Sequence, residues 1–241
     1  MRPAYSHRRA HRARIYRELL YRGIEDRMAD FIRARSDEQK EQRMAEIKQA
    51  ARELFEQNPY HEITLTTIAD RLGWSRPSLY KYASTKEEIF LSLAQDEMNA
   101  YFQALLAALP SGCGLAAPVI AEVWAGIANA HQSYFRLGDL LFSIVETNVA
   151  LERLIEFKRA YYEHRDALAT RLAELLGTEE ARGAWAIESV YYHAVGMSGS
   201  CAANPLVAQA LEAIGVDRSN FDFRAEMSEF IGMCLGHIAK R

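Results

Sequence analysis

Apolar residues recur at three- and four-residue spacing along nearly the whole chain, and no stretch alternates apolar with polar positions as a half-buried strand would. The pattern predicts an all-α protein. It is most regular over 150–176, where Leu151, Leu154, Ile155, Lys158, Tyr161, Tyr162, Arg165, Leu168, Leu172, Leu175 and Leu176 fall on helical spacing. Near the front, a helix from about Met44 to Gln57 turns Ile47, Ala50, Ala51, Leu54 and Phe55 inward and stops at Asn58-Pro59. Two short helices follow. Thr64 is suited to cap 65–72, which ends at Gly73, and Ser75 to cap a helix over roughly 76–82. Ser84 or Thr85 opens a long helix to about Ala108, with Glu87 and Glu88 in its first turn, and Pro110 to Gly114 breaks it. Beyond the break the spacing predicts helices near 116–136, 138–148, 150–176, 179–203, 205–214 and 223–239. Upstream, residues 12–35 form a basic amphipathic stretch, and 36–43 is polar throughout, either a linker or a solvated helix.

Two short helices joined by a tight turn containing glycine make a helix-turn-helix unit, whose second helix enters the major groove of DNA. Here Ile68, Ala69, Leu72, Leu79 and Tyr80 are expected to face the 44–57 helix, leaving Arg76, Ser78, Lys81 and Tyr82 outward. Their chemistry suits a duplex. Arg76 can meet phosphate or guanine edges, Ser78 can bond to either, and Lys81 and Lys86 can neutralise phosphate. The Thr64 and Ser75 hydroxyls and the adjacent helix starts add anion-friendly backbone. The plainer alternative is a chance pair of short helices in a helical protein; the agreement of caps, turn and outward charge weighs against it.

The same residues resemble the tetracycline-repressor (TetR) family of bacterial regulators. The resemblance is carried by Ile47-x-x-Ala50-Ala51-x-x-Leu54-Phe55, by Thr64-x-x-x-Ile68-Ala69-x-x-Leu72-Gly73-x-Ser75, and by Leu79-Tyr80-x-Tyr82-x-Ser84-x-Lys86-Glu87, and it covers about 44–95. It implies a homodimer on a near-palindromic operator, with a ligand in the C-terminal domain that changes the separation of the recognition helices. Thr64, Ser75, Arg76, Ser78, Tyr80, Lys81, Tyr82 and Lys86 fall where that family contacts DNA, mostly at phosphate. Two departures matter. Pro77 stands where the family often has a small residue near a base, which bears on which base pairs are read. Tyr82-Ala83 replaces the usual His-Phe, which weakens packing between the recognition helix and the long helix after it unless Trp74 or Phe90 fills the gap.

Charge sharpens this division. The net charge of −3 conceals twelve basic against seven acidic residues over 1–43, near balance over 44–90, and a net of −7 over 91–241. A polyanion is therefore met at the front of the chain. We divide the sequence into a basic extension (1–43), a helix-turn-helix domain (44–92, motif 65–84) and a helical ligand-binding and dimerisation domain (93–241). Three readings of the extension stay open: an arm that binds DNA, a solvated or membrane-surface amphipathic helix, or a segment upstream of the natural start, for which Met28 is a sensible position.

In the C-terminal body aromatic and polar groups interleave. The candidate ligand contacts are His131, Phe135, Phe142, Glu146, Asn148, Tyr162 and Tyr192, with His131, Glu146 and Asn148 as polar handles. For any one of them, ordinary helix packing is the commoner explanation. Small residues crowd 194–203, and Gly232 and Gly236 mark the last helix, which permits close helix approach. The resemblance implies that the helices near 179–203 and 223–239 pair across a two-fold axis; packing within one chain explains the same residues.

Other function classes fit less well. The sequence has no Gly-rich phosphate loop, GxSxG, HExxH or paired Cys/His motif, so neither an enzyme, a cofactor nor a metal site is expected. Cys113, Cys201 and Cys234 are odd in number and far apart, which argues against a disulfide framework and for a reducing cytoplasm. Charges interrupt every long apolar stretch, so no membrane span is expected, and no apolar region follows the basic start as in a signal peptide. The stronger rival is a non-specific, architectural DNA-binding protein using the basic arm. The acidic body argues against it.

Overall fold

The computed structural model describes residues 38–112, 114–198, 205–216 and 221–239, and within them the chain is helical without strands. The amphipathic stretch at 12–35 lies outside the described residues. The described chain is helical over 38–57 (α1), so the polar 38–43 segment is solvated helix rather than a linker. Glu, Gln and Lys are strong helix formers, which is why it persists without burying anything. A single 3₁₀ turn, Tyr60–Glu62, leads to α2, Leu65–Leu72.

Thr64 caps α2 as expected. Its hydroxyl accepts from the Thr67 N–H (3.1 Å), while the Thr67 hydroxyl oxygen accepts from the Thr64 N–H (2.9 Å). Gly73 ends α2 in the left-handed region, at φ 67°. Helix α3, Arg76–Leu79, is one turn long and stops short of the expected residue 82. Pro77 sits in that first turn, where its missing N–H costs nothing. Helix α4 is Lys86–Ala108, and of its two expected caps Thr85 is the one used, accepting from the Glu88 N–H at 3.2 Å.

The expected helix over 116–136 is two: α5, Ala117–Ala130, and α6, Gln132–Leu140, parted at His131, whose backbone leaves helical geometry (φ −114°, ψ 34°). Instead of a helix over 138–148, a π-helical turn at Leu141–Val145 continues α6. Then come α7, Leu151–Leu176; α8, Glu180–Ser198; α9, Pro205–Ala213; and α10, Phe223–Ala239.

Two packed regions meet along α4. In the first, Ile47 and Ala51 of α1, Ile68 and Ala69 of α2 and Leu79 of α3 are buried against Ile89 and Phe90. Phe90 takes the ring edges of Phe55 (5.6 Å between centroids) and Tyr60 (4.9 Å), and Trp74 packs on Tyr82 (5.9 Å). Of the two aromatics anticipated behind the recognition helix, Trp74 packs on the turn that ends it, whereas Phe90 packs on rings of α1 and the 3₁₀ turn. In the second region α4 lies against α5, α6 and α7, and α10 packs on α5 and α8. Its centre is aromatic: Tyr101, Phe102, Trp124, Tyr134, Phe135 and Tyr191 are buried, and the Trp124 indole N–H donates to the Tyr101 hydroxyl oxygen at 2.6 Å. Helices α7 and α8 approach closely at Gly183, where a Cβ would stand 2.8 Å from the Ala169 carbonyl oxygen.

The two regions are tied by polar contacts at the α1–α4–α6 junction. One oxygen of the Glu97 carboxylate, whose side chain is 11% exposed, accepts from Arg52 of α1 (2.5 Å). The other accepts from the Ser133 hydroxyl of α6 (2.5 Å). Lys48 pairs with Asp96 one residue earlier, and the Arg136 guanidinium lies 5.2 Å from the Phe55 ring centre.

Candidate nucleic-acid interface

The outer surface of α2, the turn after it and α3 carries the residues expected to meet DNA. Thr64, Ser75, Arg76, Tyr80 and Lys81 are exposed, and Ser78, Tyr82 and Lys86 are half-buried. Two tyrosines exchange the places that helical spacing assigned them. Tyr80, expected in the small core, is 56% exposed, while Tyr82, expected outward, packs on Trp74. The cause is the short α3: past Leu79 the chain is in a turn, and a 3.6-residue period no longer says which side chain points inward. Ser75 begins α3 without capping it. Its hydroxyl pairs with that of Ser78 at 2.8 Å, and the Ser78 N–H donates to the Ser75 carbonyl.

Lys86 is placed differently from a free phosphate ligand. Its ammonium donates to the carbonyl oxygens of Tyr60 (2.9 Å) and Ile63 (2.7 Å) and lies 4.0 Å from the centre of the Tyr60 ring. Burial holds its pKa below the ordinary lysine value. The Tyr60 hydroxyl donates to Glu87 at 2.8 Å beside it. Together these contacts fasten the 3₁₀ turn, and with it the start of α2, to the start of α4.

The charges on this face are asymmetric. Arg52, Arg71 and Lys48 on the flanks have carboxylate partners in Glu97, Glu53 and Asp96. Neither Arg76 nor Lys81 has an ion-pair partner among the described residues. Two cations left uncompensated on one exposed face, beside hydroxyl donors, suit a polyanion. Sequence reasoning gave Arg43 and Trp74 no part in this face. Arg43 reaches it from α1, its guanidinium 5.0 Å from the Trp74 ring centre, a contact between separate elements that no local pattern reveals.

The seven candidate ligand contacts of the body lie in different surroundings. Phe135 is buried in the aromatic centre, and His131 is half-buried beside Tyr101 (6.1 Å between rings). Phe142 and Tyr192 are exposed neighbours (5.9 Å), and Glu146 close by accepts from Lys158 at 2.6 Å. Tyr162 is exposed under the Arg165 guanidinium (4.5 Å). Asn148 is exposed and donates to the Ile144 carbonyl (2.7 Å), closing the turn before α7. Burial raises the phenols of Tyr101, Tyr134, Tyr161 and Tyr191 well above their ordinary range, so the hydroxyls stay protonated. Among the described residues no three metal-ligating side chains gather, and no helix is long and apolar enough to cross a membrane.

Helices α8 and α10 share an outward face. Trp185 and Met233 are 48% and 60% exposed, and Trp185 leans on His237 (5.3 Å between rings). A Cβ on Gly236 would meet nothing within 4 Å, so no close approach among the described residues explains that glycine.

Residues 47–93 match the family model described as bacterial regulatory proteins, tetR family, and residues 95–239 match that of the tetracyclin repressor-like C-terminal domain. A curated relative, the HTH-type transcriptional activator FasR of Mycolicibacterium smegmatis, is 35% identical over 60 residues. That match spans 25% of this chain and 27% of the relative. Among solved structures, the fatty acid degradation regulator FadR of Bacillus halodurans superposes with a TM-score of 0.53 at 12% identity, over 80% of this chain and 94% of that one. A TetR/AcrR-family regulator of Thermobifida fusca superposes with a TM-score of 0.52 at 20% identity, over 80% and 96%. At these identities the superpositions speak for the fold.

Proposed function

Because the chain belongs to the TetR family of bacterial transcriptional regulators, we propose that it is a ligand-responsive repressor that binds a palindromic operator as a homodimer. The observation that carries the DNA reading is the uncompensated pair Arg76 and Lys81 on the exposed face of the recognition turn. Thr64, Ser75, Ser78 and Tyr80 complete the contact surface. Lys86 acts by holding α2 against α4 rather than by reaching phosphate. Each subunit presents its recognition helix to one of two successive major grooves, so dimer geometry sets the half-site spacing. The face of α8 and α10 with Trp185, Met233 and Gly236 is the dimerisation surface. An effector enters the body near Phe142, Glu146, Tyr162 and Tyr192 and works by favouring a dimer with the wrong helix separation. The protein acts in the cytoplasm, where the DNA is.

The test is a DNase footprint of the purified protein on the DNA flanking its own gene, with random DNA as competitor. A protected, two-fold symmetric site that survives physiological salt is the expected result, and its overlap with the promoter distinguishes repressor from activator. Uniform protection that vanishes with salt would instead favour the architectural reading, since non-specific binding is nearly all counterion release.

A further inference from the structure

A cleft of about 380 Å³ opens between α1 at Arg43 and the recognition turn, lined by Arg43, Gly73, Trp74, Ser75, Ser78, Lys81 and Tyr82. We propose that this cleft seats one phosphodiester step of the DNA backbone, with Arg43 and Trp74 as contacts beside those of the recognition turn. The proposal rests on the DNA-binding reading and adds to it a second element, α1, that grips the duplex.

The chemistry of the lining points to an anion. It holds two cations and no carboxylate, in a chain whose acidic residues outnumber the basic ones, 32 to 29. The Ser75 and Ser78 hydroxyls bond to each other, which leaves one hydroxyl proton to donate outward. The Trp74 indole N–H has no acceptor among the described residues. Its ring lies 5.0 Å from the Arg43 guanidinium and 5.9 Å from the Tyr82 ring, contacts that favour this placement of the donor.

One contact opposes the proposal and can be weighed. Arg43 Nη1 donates to Glu46 at 2.9 Å across one turn of α1, with side chains 50% and 37% exposed. Exposed pairs of this kind contribute little. A guanidinium carries five donors, so the stacked group can keep Trp74 and still offer a planar edge to phosphate. The space exceeds what a phosphate alone needs and admits the sugar atoms on either side. Position agrees with this: Ser75, Ser78 and Lys81 belong both to the cleft and to the recognition turn, so a strand passing the α3 edge passes the cleft as well.

Phosphate contacts carry no sequence information, so the full-length chain and a random duplex of about 20 base pairs suffice as a test. Affinity is measured against salt for wild type, Arg43→Gln, Arg43→Lys and Trp74→Phe. Losing one phosphate contact flattens the log–log slope by about 0.9, equivalent to a loss of about eightfold at 0.1 M salt. Arg43→Gln is expected to show both changes and Arg43→Lys to retain the slope. Trp74→Phe, which keeps a ring but no N–H, is expected to weaken binding at unchanged slope. Wild-type affinity and slope in Arg43→Gln and Trp74→Phe would overturn the clamp while leaving DNA binding intact. No duplex binding by wild type would remove both. If inorganic phosphate binds the free protein through Trp74 without competing with duplex, the cleft serves a free anion and the proposal fails.

Discussion

Replacing Lys86 by Met keeps the length and apolar stem of the side chain and deletes the ammonium. Two hydrogen bonds vanish, to the carbonyls of Tyr60 and Ile63. A hydrogen bond from a charged donor contributes about 1.5–3 kcal/mol where the partners are dry. Here the ammonium is half-buried while the residues that carry the two carbonyls, Tyr60 and Ile63, are buried, so the pair together should cost about 2–4 kcal/mol. For a chain of this size each kcal/mol moves the melting temperature by about 2–4 °C. Affinity for DNA should fall as well, because Ile63 precedes the residue that caps α2 and loosening it lets the recognition turn drift. The salt dependence should not change, since no phosphate contact has been removed. Lys81→Met is the counterpart: unchanged melting and a slope flatter by about 0.9. Thermal melts and salt titrations of the two variants decide the matter. An unaltered melting temperature with a flattened slope in Lys86→Met would refute the argument and put that ammonium on the DNA.

Three further outcomes follow from particular contacts. Burial lowers the pKa of His164, whose ring stacks on Phe102 and whose Nε2–H donates to Asn99, and of His193, stacked on Phe230 at 3.8 Å. The unfolded chain therefore takes up protons first. The stability these rings contribute is complete above about pH 6.5 and is lost as pH falls through their folded values, so melting should drop between pH 7 and 5 and drop less in His164→Gln; equal drops would count against it. Gly183→Ala places a methyl against the Ala169 backbone, which cannot swing aside as a side chain can. A cost of about 1–3 kcal/mol is expected, and an unchanged melt would mean that α7 and α8 yield there. Arg76→Ala should lower the salt slope if Arg76 holds phosphate, or relax sequence preference if it reads a base; an unaltered affinity would contradict the docking.

The front of the molecule was legible because its punctuation is local. Thr64, Gly73 and Thr85 each act through backbone atoms a few residues away, and such caps write themselves into sequence. Helix α3 was overextended because nothing in Tyr80-Lys81-Tyr82 forbids a helix; the chain turns there to bring Ala83 into the core. The break at His131 and the π turn after Leu140 carry no Gly or Pro at the break itself, so packing against α4 and α8, not local preference, sets them. The carbonyl partners of Lys86 escape the sequence for a related reason: they lie 26 and 23 residues away. The ligand candidates were the least legible. A phenylalanine at helical spacing reads alike whether it lies in a core, as Phe135 does, or at the surface, as Phe142 does.

Glu97 gives the molecule a mechanical property. Its two oxygens are fixed to one another by the carboxylate plane, yet one is tethered to Arg52 and the other to Ser133. A displacement of α6 that draws Ser133 along α4 must turn that plane, and turning it shifts the oxygen that holds α1. With the group 11% exposed, solvent is poorly placed to replace either bond and let the other stand. Through Glu97, then, α6 is joined to α1 across the width of α4 by one side chain, along a path that does not run through the loops.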